Sequence, residues 1–156
     1  MIKNKIMKTI KLILIGIFGF LFLVSCNEDD DNPTNDPQTT VESNVQSGTW
    51  KITKFIDSGT DETNHFTGYN FTFNSSGVLI ANNGTNNFEG TWSISDSNSN
   101  DDSQDDLDFN INFNLSNDFE DLNDDWDIVS YSDTIINLID ISGGNGDTDV
   151  LTFERN

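Results

Sequence analysis

The chain predicts an all-β fold, an antiparallel up-and-down meander of about eight strands closed into a barrel. Three observations lead there. Apolar and polar residues alternate at period two, most plainly where Leu107, Phe109, Ile111, Phe113 and Leu115 interleave with Asp108, Asn110, Asn112 and Asn114, the pattern of a strand with one buried and one wet face. Clusters rich in Asn, Ser and Gly, such as Asn74-Ser75-Ser76-Gly77 and Asn82-Asn83-Gly84, cut that alternation into short pieces with residues that tolerate hairpin turns. The pieces lie too close together for crossover helices, so antiparallel pairing and closure are the economical way to remove exposed edges.

The first element is not part of that fold. Lys3, Lys5, Lys8 and Lys11 precede the apolar run Leu12 to Val24, and Ser25 stands before Cys26, the only cysteine. A basic stretch, a short apolar stretch and a small residue are the parts of a secretory signal, whether it starts at Met1 or Met7. The run is also short for a spanning helix. Leu23-Val24-Ser25-Cys26 resembles the bacterial lipobox, which implies that 1–25 is a lipoprotein signal peptide and that Cys26 becomes the lipidated first residue. An ordinary cleaved signal or an anchor helix is the other reading, and it leaves Cys26 without a role.

Residues 26–47 follow as an acidic stretch holding both prolines and few apolar residues. Such a composition cannot bury enough surface to offset the entropy of ordering and reads as a disordered tether. Within it Glu28, Asp29, Asp30 and Asp31 resemble the signal that routes some Gram-negative lipoproteins to the outside of the outer membrane. The implied location is the outer membrane, lipid-anchored and facing the cell surface, with the periplasmic face as the alternative.

The domain is read as 48–156, with strands near 49–57, 65–74, 77–82, 87–95, 106–115, 126–131, 134–141 and 148–155. One segment breaks the period. Asn117 stands three residues before Glu120, and Phe119 and Leu122 share one helical face, so a short helical turn is expected near 117–123. With no cysteine in the domain, the core alone must hold it. The inward parity collects Trp50, Tyr69, Phe71, Phe73, Phe88, Trp92, Phe109, Ile111, Phe113, Trp126 and Phe153. These line either a ligand pocket or a filled core, because an eight-stranded barrel is wide enough for side chains or for one small ligand.

Gly48-Thr49-Trp50 at the head of the first strand resembles the GxW signature of lipocalins. Together with the strand arrangement and the final strand Leu151 to Arg155, it makes residues 48–155 similar to the lipocalin-like domains of bacterial surface lipoproteins. That resemblance implies a lipocalin-like (calycin-like) barrel binding one small apolar molecule, with Arg155 packed over Trp50 as a structural cation–π pair. Gly90-Thr91-Trp92 repeats the three-residue pattern, and is read as a glycine that lets a neighbour approach while the tryptophan fills the barrel.

Other chemistry is weakly marked. Removing 1–25 leaves three cations against 27 acidic residues, a net charge of −24, which repels nucleic acid and anionic lipid. Gly143 to Val150 is like one calcium-binding nonapeptide with its aspartates off register. Asp96, Asn98 and Asn100 open like an EF-hand loop, but Asp101 and Leu107 occupy the glycine and glutamate positions. With His65 the only histidine and no usable cysteine, no metal, no cofactor and no catalytic residue is expected. The expected partners are the membrane, through the lipid on Cys26, and a small apolar ligand or a surface protein. Two functions follow: a non-enzymatic, lipid-anchored lipocalin-like binder, or a packed structural or interaction domain on the cell surface.

Overall fold

A computed structural model describes residues 36–96, 107–141 and 148–156. Cys26, the acidic run 28–31, most of the EF-hand-like loop and most of 143–150 lie outside the described residues. The described elements are α1 (Pro37–Gln46), β1 (Trp50–Asp57), β2 (Thr60–Asp61), a 3-10 turn Thr63–Phe66, β3 (Asn70–Phe73), β4 (Val78–Asn82), β5 (Asn87–Asp96) and β6 (Leu107–Asn112). They continue with a 3-10 turn Glu120–Leu122, β7 (Asp124–Tyr131), β8 (Ile135–Asp140) and β9 (Asp149–Arg155).

Each of β3 to β9 pairs antiparallel with its sequence neighbour, and β1 pairs with both β3 and β9, closing an eight-stranded up-and-down barrel. The two-residue β2 only extends β1 as a hairpin. Closure on the β9 side is extensive, from Trp50↔Arg155 to Ile56↔Val150, whereas β1 meets β3 only at Trp50↔Phe71. The wider part of that second seam is filled by side chains: Phe66 from the first 3-10 turn packs edge-on against Phe55 of β1 at 5.4 Å.

Two sequence expectations are corrected. Strand formation over 65–74 is confined to 70–73, because Gly68 takes a φ of +84° and breaks the period, leaving Phe66 and Tyr69 three residues apart. The disordered tether does not extend through 47. Residues 37–46 form α1, which packs on β5 and β3 and buries Val41 and Val45 completely. Thr34 to Asn156 is accordingly one compact unit. Among the described residues, no helix is long and apolar enough to cross a membrane.

Local chemistry explains α1. Asp36 caps its first turn, with Oδ1 accepting from the Gln38 N–H at 3.2 Å and Oδ2 from the Thr39 hydroxyl at 3.0 Å, and Pro37 occupies the position where a missing N–H costs nothing. Gln38 ties the helix to the barrel by donating to the Ile94 carbonyl at 3.1 Å.

Strand direction gives the barrel two ends. At one end lie the start of β1, the end of β9, the β3–β4 and β7–β8 hairpins, and α1. At the other lie the 58–69 connection, the β4–β5 hairpin and residues 113–123. Gly90 illustrates how tightly the wall is built: a Cβ there would stand 2.5 Å from the Asn112 carbonyl oxygen and 2.7 Å from Cδ1 of Phe113. Gly90→Ala is expected to destabilise by about 1–3 kcal/mol through overpacking, read as a lower urea midpoint at unchanged m-value.

Candidate functional site

The barrel interior is where the sequence places its site residues, and the structure brings them together. Trp50, Tyr69, Phe71, Phe73, Trp92, Phe109, Ile111, Phe113 and Trp126 are all buried in one cluster with Phe153, while Phe88 is half-buried at its edge. Around mid-barrel the rings meet one another. Phe73 packs edge-on against Trp92 at 5.4 Å, Phe109 at 5.4 Å and Phe153 at 5.5 Å. Phe153 also meets Phe71 at 5.4 Å. These distances and angles are those of favourable aromatic pairs.

Each end is closed by a separate device. At one, Phe119 leads into the turn Glu120–Leu122 and inserts among Tyr69, Phe88 and Phe113, its centroid 5.0, 4.8 and 5.0 Å from theirs, with Phe66 at 5.3 Å. The helical turn expected near 117–123 is this plug. At the other, α1 lies across the start of β1. The guanidinium carbon of Arg155 stands 4.9 Å from the Trp50 ring centroid, and its Nη2 donates to the Asn44 carbonyl at 2.9 Å and the Ser47 hydroxyl at 2.6 Å. A cation is thereby set against the open carbonyls of a helix C-terminus. Sequence reasoning linked Trp50 to Arg155 but missed α1 between them; Asp36-Pro37 followed by Val41 and Val45 was the signal that could have found it.

The three indole N–H groups are all occupied by backbone. Trp50 donates to Val45 at 2.8 Å, Trp92 to Asn74 at 2.9 Å and Trp126 to Leu122 at 3.1 Å. Each tryptophan thus fastens one closing element: the helix, the β3–β4 hairpin and the turn behind Phe119. None presents a polar handle to an interior guest.

The Phe119 end is rimmed with carboxylates. Asp57, Glu62 and Asp121 each offer an oxygen within 4.8 Å of the others, and they are the described grouping that could hold a cation. His65 sits in the first 3-10 turn, with Nδ1 3.8 Å from Glu62 Oε2 and 3.9 Å from Asp118 Oδ2. Desolvation first, then Asp57, Asp118 and Glu120, push the Asp121 carboxyl above its ordinary value, while His65 opposes them.

Asp124, on the inward parity of Trp126 at the head of β7, is pushed up to about 6, by desolvation first and also by the nearby Asp140 and Asp125. Its folded value lies above its unfolded one, so its favourable contribution is complete below the ordinary carboxylate range and is lost as pH rises through about 6. Asp124→Asn is expected to stabilise the protein at neutral pH and to change it little near pH ~4. Thermal melts of both proteins across that range check it; a gain that did not grow with pH would contradict it.

A cleft of about 410 Å³ opens beside this rim, on the outer side of β5, β6 and the start of β7, lined by Thr91, Ser93, Asn110, Asn112 and Asn123 to Asp125 with the backbone of Trp92 and Ile111 beneath. Asn123 shapes its upper edge, accepting from the Phe113 N–H through Oδ1 and donating to the Phe113 carbonyl at 3.0 Å.

No family model matches this chain, and no curated protein matches it. Among solved structures it is similar to a DUF4847 family protein from Bacteroides vulgatus, with a TM-score of 0.48 and 20% identity over 74% of this chain and 97% of that one.

Proposed function

We propose that this chain is a non-catalytic, lipid-anchored barrel: Cys26 carries the lipid, the outer membrane holds it facing the cell surface, and the barrel serves as a packed interaction domain. The anchor rests on the lone cysteine directly behind the apolar run Leu12 to Val24. Two or more acyl chains hold a domain durably, at about 0.8 kcal/mol per buried methylene. The packed interior is supported by one observation above the others: the inward rings that would line a pocket touch each other across the barrel, with Phe73 of β3 against Phe109 of β6 at 5.4 Å and Phe153 of β9 against Phe71 and Phe73. A filled core offers an apolar molecule no cavity to enter.

The anchoring is checked in cells by acyl labelling and by protease added from outside. Wild type is expected to take up label and to be cut on intact cells, and Cys26→Ser to take up none. Label on the serine variant would end the lipidation reading. Labelled wild type resisting protease until the outer membrane is opened would move the protein to the periplasmic face.

A further inference from the structure

The outer cleft has a chemistry that neither the core nor the anchor uses. Strand register, rather than sequence proximity, builds it. Ser93 stands opposite Asn110, and Asn110 opposite Asp125, giving one row across three strands; Thr91 opposite Asn112 gives a second. Rows on one sheet face repeat about every 6.6 Å along the strands and about 4.8 Å across them, a span that one sugar ring covers with its own hydroxyls.

The lining excludes other ligand classes by what it lacks. Among the described residues no lysine or arginine lines the cleft, so an anion would meet there only the carboxylates of Asp124 and Asp125. Trp92 and Ile111 turn their side chains into the core, at 6% and 3% exposure, so an apolar molecule would find no surface to desolvate. The remaining groups are hydroxyls, amides and carboxylates. Asn110 is braced by its Nδ2 donating to Ser95 Oγ at 2.8 Å, which leaves its Oδ1 as an acceptor. Among the described residues the side chains of Thr91, Ser93 and Asn112 have no hydrogen-bond partner, while the Asp125 side chain shares a hydrogen bond with Asp124 and keeps its remaining acceptor capacity for a ligand. An amide and a hydroxyl each donate and accept, and a carboxylate accepts twice. The complement of such a surface is an uncharged molecule dense in groups that also do both.

We propose that the cleft over β5, β6 and the head of β7 binds a neutral, hydroxyl-rich ligand of saccharide chemistry, through hydrogen bonds with Ser93, Asn110, Asn112 and Asp125, the last accepting. The proposal goes beyond the packed-barrel reading by giving the outer wall a ligand, and it stands whether or not Cys26 is lipidated.

The test is an NMR titration of the purified full chain with maltotriose, cellotriose, mannotriose and galactotriose, each to ~10 mM. At least one is expected to shift amides of 91–93, 110–112 and 123–125 saturably. Asn112→Ala and Ser93→Ala, both at exposed outward positions, are expected to weaken that sugar about tenfold each while leaving the melting temperature unchanged. No saturable shift with any of the four sugars overturns the proposal. So does calcium chloride alone producing the shifts at Asp124 and Asp125, which would make the cleft a cation site. Shifts confined to Phe73, Phe109 and Phe153 would overturn it too, and would separately contradict the packed interior.

Discussion

Trp50→Ala is expected to lower stability by about 3–5 kcal/mol, the cost of removing a fully buried large aromatic. Two further losses act in the same direction. The Val45 carbonyl, which accepts from the indole at 2.8 Å, loses its donor, and the Arg155 guanidinium, 4.9 Å over the ring, loses the face on which it lies. For a domain of this size that is a large part of the total. Arg155→Ala is expected to cost less, about 1–2 kcal/mol, from the cation–π contact and the charge-assisted hydrogen bonds to the end of α1. The pair is read by urea denaturation, with amide exchange over 40–46 reporting α1. An unchanged midpoint for Trp50→Ala would contradict the assignment of this end. Arg155→Ala with fully protected α1 amides would show that Val41 and Val45 hold the helix without the clamp.

Phe119→Ala carries a similarly large expected cost, about 3–5 kcal/mol, for a different reason. Phe119 belongs to no strand, yet its ring fills the space between Tyr69, Phe88 and Phe113 at the far end of the barrel. Truncation leaves a cavity beneath an acidic rim, and the turn Glu120–Leu122 keeps only Leu122 to hold it down. Because Trp126 Nε1 donates to the Leu122 carbonyl, loosening is expected to reach Trp126 and to appear as a change in tryptophan emission. Phe119→Leu, which retains most of the apolar volume, is expected to recover much of the loss. Equal destabilisation by Ala and Leu would argue that ring-to-ring geometry, rather than filled volume, closes that end.

What could be read in the sequence follows the physics of each element. Strand β6 was legible because Leu107, Phe109 and Ile111 face in while Asp108, Asn110 and Asn112 do not, a strictly local pattern. The inward aromatics were legible by the same parity, and β-barrel closure followed from spacing. The 65–74 segment misled because Phe66, Tyr69, Phe71 and Phe73 are all apolar, and only the left-handed Gly68 separates a turn from a strand. Helix α1 was obscured by composition: two valines among ten mostly polar residues give a weak apolar stripe. Its support comes instead from contacts far along the chain, from Ile94 and Arg155. The outer cleft was invisible for a related reason, since Ser93, Asn110 and Asp125 become neighbours only through register across three strands.

The most direct measurement of the filled interior is a crystal structure of the protein under xenon pressure, because xenon enters dry apolar cavities without needing a designed ligand. A packed barrel is expected to show no xenon between the rings of Phe73, Phe109 and Phe153. A well-occupied xenon site among those rings would contradict the packed core and restore the barrel as a container for a small apolar molecule.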